Sequence, residues 1–244
     1  MTETQRLYCI SDLHLSLERP DIHQAFSDFL INRAASASAL YILGDFFNLW
    51  IGDDDPDPFA LQVKNELRAL AESGTRVYLM HGNRDFLLGD DFCNACGAEM
   101  IQEPYVLSAF GTDYLLMHGD SLCTRDNDYM AFRTMVRNPD WQRDFLARPL
   151  AARQAFAEEA RARSKAMSSN KAEDIMDVTP NAVEAVLSER GQKILVHGHT
   201  HRPAVHDLLI NGEAGKRIVL GDWDRRGWSL EITPTGYNLQ DFPI

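Results

Sequence analysis

Histidine, aspartate and asparagine recur in short strings along this 244-residue chain. These strings are, in chain order, Asp12-Leu13-His14, Gly44-Asp45, Gly82-Asn83-Arg84-Asp85, His118-Gly119-Asp120 and His197-Gly198-His199-Thr200-His201. Six of the eight histidines lie in the strings or directly beside them. A single histidine of this kind is most often a hydrogen-bonded structural residue, whereas an ordered set of this size indicates a shared site.

The ligand types indicate which ions such a site would take. Imidazole together with carboxylate and amide oxygen suits Mn²⁺, Fe²⁺ or Zn²⁺, whereas Mg²⁺ and Ca²⁺ prefer oxygen ligands alone. No cysteine pair stands in the strings, so a structural zinc site is not expected. Seven ligands are too many for one ion and fit two ions about 3.5–4 Å apart, bridged by a carboxylate. Such a pair of ions activates water and stabilises an in-line displacement at phosphorus.

Short apolar runs precede the strings and predict the β-strands that position them. The runs are LYCI, ALYIL, RVYLM, YLLM and KILV, and a sixth run, RIVL, ends in GDW. Residues 21–35 and 59–73 have the spacing and length of helices. Alternating strands and helices predict an α/β fold. Because ligands bind beyond the carboxyl ends of strands in open α/β sheets, five of these strand ends can meet at one site.

Residues 125–178 interrupt this alternation and read as helical. They are rich in Ala, Arg, Met and Gln, and Pro139 and Pro149 divide them into about three pieces. We expect an insertion here, either a helical cap over the site or a decoration of the surface. No repeat or linker marks a second domain, so residues 1–244 are predicted to form a single domain.

Composition and charge exclude several classes of protein. A hydrophobic fraction of 45% and a charged fraction of 25% are typical of soluble globular domains. No run is long enough for a membrane span, and no leader-like segment opens the sequence, so a cytoplasmic protein with reduced thiols is predicted. The net charge of −12 argues against nucleic-acid binding, and no obligate protein partner is evident.

The charge is unevenly distributed along the chain. Between residues 125 and 171 there are ten Lys or Arg and six Asp or Glu, so this segment carries +4 and the remainder −16. A cationic segment on an anionic protein predicts a localised anionic partner. Five of its cations are expected to face an anionic ligand or an anionic membrane surface, namely Arg153, Arg161, Arg163, Lys165 and Lys171.

The ordered strings resemble those of the calcineurin-like metallophosphoesterase superfamily. Longer segments are similar to one family within it, the UDP-2,3-diacylglucosamine diphosphatases of lipid A synthesis in Gram-negative bacteria. These segments are SDLHL, YILGDFFNLWIGDDD, HGNRDFLLG, MHGDSLCT, IMDV and VHGHTHRP. The resemblance covers about five-sixths of the chain. It implies a four-layer αββα sandwich with a helical cap insertion at residues 125–178.

The same resemblance implies two Mn²⁺ ions per chain, held by two sets of ligands that share Asp45. The first set is Asp12, His14, Asp45 and His201. The second set is Asp45, Asn83, His118 and His199. His197, His81 and Asp120 are expected to support these ligands or the fold.

Arg84 is where the chain departs from the superfamily, whose members often have GNHD at the position of GNRD. The histidine of GNHD donates a proton to an alcohol leaving group, which a guanidinium cannot do near neutral pH. A guanidinium can instead clamp phosphate oxygens and stabilise developing negative charge. A phosphate leaving group needs no strong acid, since its second pKa is about 6. Arg84 therefore favours cleavage of a diphosphate, with Arg84 and Asn83 as the catalytic residues; the alternative is a surface salt bridge between Arg84 and Asp85.

The resemblance also implies which residues bind substrate. They are Asn83, Arg84, Asp126, Tyr129, Ser164, Ser168, Lys171 and His199. Ser168 stands where the family usually has Asn, which shortens that side chain. Apolar side chains of the same segment are expected either to line a groove for acyl chains or to pack the segment onto the core.

The activity that the resemblance implies is hydrolysis of the diphosphate bond of UDP-2,3-diacylglucosamine. Water would attack the α-phosphorus and give UMP and 2,3-diacylglucosamine 1-phosphate (lipid X). A two-chain lipid substrate and no membrane span predict peripheral association with the cytoplasmic face of the inner membrane. Two alternatives stay open, namely another dinuclear-metal phosphodiesterase acting on soluble nucleotides and a non-catalytic binding module of the same fold.

Two further motifs are expected to be structural. Asp53, Asp54 and Asp55, with Asp57, are interpreted as a shaped loop rather than an outer metal site. Cys93-x-x-Cys96 resembles half of a zinc or redox motif, but the sequence has no partner pair.

Overall fold

The computed structural model describes residues 5–168 and 175–244, with side chains for residues 5–163 and 175–244. The strands in these ranges are β1 (Leu7–Ile10), β2 (Ala39–Leu43), β3 (Arg76–Met80), β4 (Ala98–Ile101), β5 (Tyr105–Ala109), β6 (Thr112–Met117), β7 (Ile194–His197), β8 (Ala204–Ile210), β9 (Glu213–Val219), β10 (Arg226–Thr233) and β11 (Gly236–Pro243). The helices are α1 (Pro20–Asn32), α2 (Pro58–Glu72), α3 (Asp90–Cys96), α4 (Asn127–Val136), α5 (Pro139–Leu146), α6 (Leu150–Ser168) and α7 (Pro180–Arg190). Two short 3₁₀ turns lie at Ala34–Ser36 and Asp120–Leu122.

The strands form two mixed sheets, each of which contains a run of parallel strands. The six-stranded sheet has the order β11-β10-β1-β2-β3-β4, in which β1 to β4 are parallel. The five-stranded sheet has the order β5-β6-β7-β9-β8, in which β6, β7 and β9 are parallel. The parallel strands of each sheet end at one edge, and that edge receives the polar strings.

Three apolar layers hold the two sheets and their helices together. In β1, Tyr8 and Ile10 pack toward α1 to α3, while Leu7 and Cys9 face the other sheet. On the far side of the second sheet, Leu115 and Leu195 pack against α7. The order of layers is therefore helix, sheet, sheet, helix, which confirms the predicted four-layer αββα sandwich. Because the central strands are buried on both faces, their sequences are continuous apolar runs.

The six predicted strands are all present, and the predicted helices begin and end within a few residues of α1 and α2. Five strands were not predicted, namely β4, β5, β8, β10 and β11. They lie at the margins of the sheets, where one face or one edge is exposed, and their residues alternate in burial. Alternating polar and apolar residues of this kind do not form the continuous runs on which the prediction depends.

Prolines and polar caps determine where the helices of the 127–168 segment begin. Pro139 stands at the first turn of α5, and the Asn138 side chain accepts hydrogen bonds from the next two free N–H groups. Asp126 caps α4 by accepting from the Tyr129 N–H at 3.1 Å. The segment therefore forms three helices, α4 to α6, as the proline spacing predicts.

Within the described ranges, no helix is long and apolar enough to cross a membrane.

Candidate metal centre

The predicted ligands follow five parallel strands and meet where the two sheets adjoin. Backbone hydrogen bonds continue from the strands into these loops: the His14 N–H donates to Asp45 O at 2.9 Å, and the Gly198 N–H donates to His118 O at 2.9 Å. The His199 N–H donates to the Asp12 carboxylate at 2.9 Å, which joins the loop after β7 to the loop after β1. The site is thus built across both sheets.

The backbone of these loops is unusually left-handed. Seven non-glycine residues of the described chain have positive φ, and five of them are predicted ligands. The five are Asp12 (56°), His14 (49°), Asp45 (49°), His199 (66°) and His201 (55°). L-residues rarely adopt this conformation, and it concentrates at functional sites whose surroundings enforce it.

The first set of predicted ligands meets around Asp12. Donor atoms of Asp12, His14 and His201 lie within 4.8 Å of one another. Asp12 Oδ1 is 3.4 Å from His201 Nε2, which is itself 3.3 Å from His14 Nε2. Asp45 Oδ2 lies 3.9 Å from His14 Nδ1 and completes the set.

The second set meets around the Asn83 side chain. Asn83 Oδ1 lies 3.0 Å from His118 Nε2 and 2.8 Å from His199 Nδ1. Asp45 Oδ1 is 3.7 Å from His118 Nε2, so the two oxygens of Asp45 face different sets. Donor atoms of Asp12, Asp45 and His118 also lie within 4.8 Å of one another, so Asp12 too lies between the sets.

Close approach of the loops requires glycine at two points. A Cβ on Gly82 would lie 2.1 Å from the Asp45 backbone nitrogen and 2.2 Å from Asp45 Oδ1. A Cβ on Gly198 would lie 2.3 Å from Asp12 Oδ2. Both glycines therefore allow a neighbouring carboxylate into the centre of the site.

The charges of the site are strongly coupled. Burial raises the pKa of Asp45 to about 6, although His118 opposes the shift. Burial disfavours a charged His118, but the carboxylates of Asp45 and Asp12 outweigh it and raise its pKa to about 9. Burial likewise opposes charge on His201, but the nearby carboxylates of Asp12 and Asp222 outweigh it and raise its pKa to about 10. The buried carboxylates thus attract positive charge, which in the polypeptide alone is carried by protons on His118 and His201.

At His199, a histidine of the second set, burial is the dominant effect. It lowers the pKa of His199 to about 4, and the nearby positive charge of His118 adds to the shift. His199 is therefore neutral at pH 7, which is the form that binds metal ions.

Arg84 faces the site and Asp85 does not. The Arg84 backbone N–H donates to Asp45 Oδ1 at 2.9 Å. The Arg84 guanidinium donates from Nη1 to Asn48 Oδ1 at 2.9 Å, and its Nε lies 3.5 Å from Asp45 Oδ2. Asp85 is buried and accepts hydrogen bonds from the backbone N–H groups of Phe46 and Gly82. The alternative of an Arg84–Asp85 surface salt bridge is therefore wrong, because Asp85 is the buried anchor of the turn.

The predicted substrate residues are only partly within the described side chains. Tyr129 stacks on His199 with ring centroids 5.9 Å apart, so it borders the site. Asp126 lies at the start of the same helix. Ser164 and Ser168 fall in α6 outside the described side chains, and Lys171 lies outside the described residues altogether.

Arg153 corrects one prediction. Its side chain is buried, and its guanidinium donates to Ile51 O at 2.6 Å and to Asp54 Oδ1 at 2.7 Å. It therefore joins α6 to the loop after β2 and is not available for a diphosphate or a membrane. Arg161 and Arg163, farther along the helix, are exposed.

The acidic loop at residues 53–57 is structural, as interpreted from the sequence. Asp53 accepts hydrogen bonds from Trp50 Nε1 and from the N–H groups of Gly89 and Phe92. Asp57 caps α2. With Asp54 bound to Arg153, three of the four acids in this loop are engaged in holding the fold.

The apolar side chains of the helical segment are partly packed against the core and partly exposed. Phe145 is buried, and Trp141 stacks on it with ring centroids 4.8 Å apart. Both pack against the core between the helices and the first sheet. Met135 and Leu146 stay exposed, at 42% and 39%. Packing onto the core therefore accounts for the largest aromatic side chains.

His197 and His81 stay outside the two sets. His197 is buried, with its Nδ1 2.8 Å from Gly198 O, and His81 Nε2 lies 2.7 Å from Leu88 O. Three polar residues near the site were not predicted from the sequence. They are Asp222, 3.3 Å from His201 Nδ1; Asn48, bound to Arg84; and Glu103, bound to the His118 N–H. Asp222 follows the sixth apolar run, so a strand-end signal for it was present.

The donor set fits divalent ions. Asp12 Oδ1 and His14 Nδ1 are buried and have no hydrogen-bond partner among the described residues. Orphaned buried polar atoms are uncommon in folded proteins and indicate a missing ion or water. The seven predicted ligands together offer carboxylate, imidazole and amide groups, which match the preferences of first-row transition metals.

Known proteins resemble this chain along its length. A sequence model described as calcineurin-like phosphoesterase matches residues 5–203. A UDP-2,3-diacylglucosamine hydrolase of Cellvibrio japonicus is 54% identical over 96% of this chain and 98% of its own length. A UDP-2,3-diacylglucosamine hydrolase of Pseudomonas putida is 55% identical over 96% of this chain and 97% of its own length.

Among solved structures, that of an archaeal phosphodiesterase is similar in fold. It has a TM-score of 0.52 at 12% identity and covers 98% of this chain and 100% of the archaeal one. This match shows that the two chains share a fold. The chain belongs to the calcineurin-like phosphoesterase family, and within it to the group of the UDP-2,3-diacylglucosamine hydrolases.

Proposed function

We propose that this protein hydrolyses the diphosphate bond of UDP-2,3-diacylglucosamine in lipid A synthesis. Water attacks the α-phosphorus, and the products are UMP and 2,3-diacylglucosamine 1-phosphate. The main support is that seven side chains of the types that bind metal ions converge in a chain 54% identical to a hydrolase of that name. A phosphoesterase fold with this donor set is suited to attack at phosphorus.

We further propose that the site binds two Mn²⁺ ions. Asp12, His14, Asp45 and His201 would hold the first ion. Asp45, Asn83, His118 and His199 would hold the second. The two oxygens of Asp45, which face His14 and His118, support its role as the bridge. When bound, ions of this kind polarise phosphoryl oxygens and lower the pKa of water.

Arg84 and Asn83 are the proposed catalytic residues of the protein itself. The Arg84 side chain is about one-third exposed, so its guanidinium can reach a ligand from its position beside Asp45. Held there by Asn48, it would clamp phosphoryl oxygens and stabilise the charge that develops on them. Because the leaving group is itself a phosphate, the protein needs no acid at this position.

The helical segment is the proposed binding surface for the rest of the substrate. Asp126 and Tyr129 lie at the start of α4, and Tyr129 reaches the site through His199. Ser164, Ser168 and Lys171 would bind from the end of α6 and the residues after it. Arg84, Asn83 and His199 would contact the phosphates.

We propose that the protein works in the cytoplasm and associates peripherally with the inner membrane. The exposed apolar side chains of Met135 and Leu146, together with the exposed arginines Arg161 and Arg163 of α6, support contact with an anionic lipid surface. Flotation with vesicles containing anionic phospholipid tests the proposal. Binding that weakens with salt is expected, and flotation no better than that of a soluble control protein would contradict it.

Product analysis by mass spectrometry tests the reaction itself. The purified protein is incubated with Mn²⁺, UDP-2,3-diacylglucosamine and ¹⁸O-labelled water. Labelled UMP is expected, and it would establish both the reaction and attack on the α-phosphorus. Label in the lipid product would place the attack on the other phosphorus. No UMP would contradict the proposal, and soluble nucleotide phosphodiesters assayed in parallel would then separate another phosphodiesterase from a binding module.

A further inference from the structure

One face of α4 contacts three of the loops that carry the second set of ligands. Tyr129, Arg133 and Arg137 are spaced by four residues, which places them along one side of the helix. The Tyr129 ring stacks on His199, with the planes inclined by 30°. Arg137, directly after the helix, donates from Nη2 to Gly82 O at 2.9 Å. The loop that holds Asn83 and the loop that holds His199 are thus both in contact with this face.

Arg133, in the middle of this face, binds two carboxylates close to His118, a further ligand of the second set. Its Nε donates to Asp120 Oδ2 at 2.8 Å, and its Nη2 donates to Glu103 Oε1 at 2.6 Å. Glu103 Oε2 accepts from the His118 backbone N–H at 2.9 Å. The Tyr129 hydroxyl donates to the same Asp120 oxygen at 2.5 Å. A chain of hydrogen bonds therefore runs from α4 to the backbone of His118.

Charge explains why an arginine is needed at this point. Asp120 is fully buried and Glu103 has a side chain only 14% exposed, so both carboxylates are largely removed from water. Two like charges in such surroundings repel unless a cation lies between them. The planar guanidinium offers several donors in a fixed fork, so it can bind both carboxylates at once.

We propose that Arg133 is a positioning residue for the second set of ligands and leaves the first set largely unaffected. It orients His118 through Glu103, and it holds the helix from which Tyr129 and Arg137 brace His199 and the loop of Asn83. The contacts that the structure describes for this face reach these three ligands and none reaches His14 or His201. The inference rests on the proposed function, since it concerns the two-ion site.

The test is a metal titration that does not depend on turnover. Protein freed of metal with a chelator is titrated with Mn²⁺, and free Mn²⁺ is followed by electron paramagnetic resonance. The unsubstituted protein should bind two ions. In Arg133→Gln, one ion should bind about 10- to 100-fold more weakly, as is usual when a group that orients a ligand is removed, and the other should keep its affinity.

Two further variants sharpen the comparison. Arg133→Lys keeps the charge but lacks the fork, so a smaller weakening of the same ion is expected. Arg143→Gln removes an exposed arginine of α5 and should leave both affinities unchanged. If Arg133→Gln does not fold, the double variant Arg133→Met/Glu103→Gln takes its place. It removes the charges of Arg133 and Glu103 together, and the amide oxygen introduced at position 103 can still accept from the His118 N–H. The selective loss is expected there too.

The outcomes separate this inference from the proposed function. An unsubstituted protein that binds fewer than two ions would overturn the two-ion site itself. Two ions with unchanged affinities in Arg133→Gln would overturn the inference alone. Equal weakening of both ions would also overturn it, because that result indicates a general structural role.

Discussion

His118 Nδ1 lies 2.9 Å from the carbonyl oxygen of Leu43, the last residue of β2. Because a carbonyl can only accept, this contact requires a proton on Nδ1 and directs Nε2 toward Asn83 and Asp45. Leu43 belongs to one sheet and His118 follows a strand of the other. The backbone of the first sheet thereby orients a proposed ligand supplied by the second, as is usual for metal-binding histidines.

Asp45→Ala is expected to abolish metal binding and turnover together, since both proposed ions use this carboxylate. Mn²⁺ content by mass spectrometry and hydrolysis of the lipid substrate are the measurements. Asp113→Ala, on the exposed start of β6, is the control and should retain both. Full metal content in Asp45→Ala would refute its place as the bridge.

Arg84→Ala should retain its metal ions while turnover falls by about 10²- to 10³-fold, the usual loss when a donor to developing negative charge is removed. Arg84→Lys should recover only part of the loss, because an ammonium cannot form two parallel hydrogen bonds to a phosphate. Turnover and metal content are measured on the same preparations. Unaltered turnover in Arg84→Ala would rule out the role given to this residue.

Arg153→Met should lower the free energy of unfolding by about 2–3 kcal/mol, because it leaves the Ile51 carbonyl without its partner and removes a buried cation. Asp54→Asn should cost about 1 kcal/mol or less, since the Asp54 side chain is 62% exposed and its pairing is screened by water. Urea unfolding gives both values. Arg163→Met, on the exposed side of α6, is the control, and an equal loss there would contradict the assignment.

The four cysteines predict how stability responds to alkaline pH. All are buried, and burial raises the pKa of Cys93 and Cys123 to about 12 and that of Cys96 to about 11. Thiols of the unfolded chain ionise near pH 8.5. Above that pH the unfolded state loses protons that the folded state keeps, so stability should fall as pH rises from about 9 to 12.

Urea unfolding at pH 8, 9 and 10 measures this dependence. A variant in which Cys93 is replaced by Ala should show a shallower decline over the same range. Iodoacetamide should also modify the folded protein on the order of a hundredfold more slowly than the unfolded chain at pH 8. Rapid modification of Cys93 or Cys96 in the folded state would show that the pair is accessible after all.

The centre of the fold could be predicted from the sequence because burial on both faces leaves continuous apolar runs. Asp12, Asp45 and His118 follow these runs within two residues, so they were predicted to stand at strand ends and to meet at one site. Residues such as Glu103 and Arg133 were not predictable in the same way. They lie in a connection and on a helix, and their proximity depends on how α4 packs against the loop before β5, which local spacing does not encode.

Arg153 shows that the charge of a segment does not predict which of its residues bind a ligand. Its charge and its place in a cationic segment made an anionic ligand a reasonable expectation, yet its partner is Asp54, some hundred residues earlier in the chain. Composition reports the sum of charges in a segment and not which of them are already paired within the fold. Side chains that gather at strand ends were therefore easier to predict from the sequence than the difference between ligand-binding and structural arginines.

The left-handed backbone at five of the proposed ligands has a consequence for how this protein can change. A left-handed L-residue costs about 1–2 kcal/mol relative to its ordinary conformation, a cost that glycine largely avoids. Glycine at Asp12 or His201 would therefore relieve the backbone while discarding a ligand. Thermal stability and activity are in competition at these positions, and a screen that selects only for heat resistance would tend to erase the site.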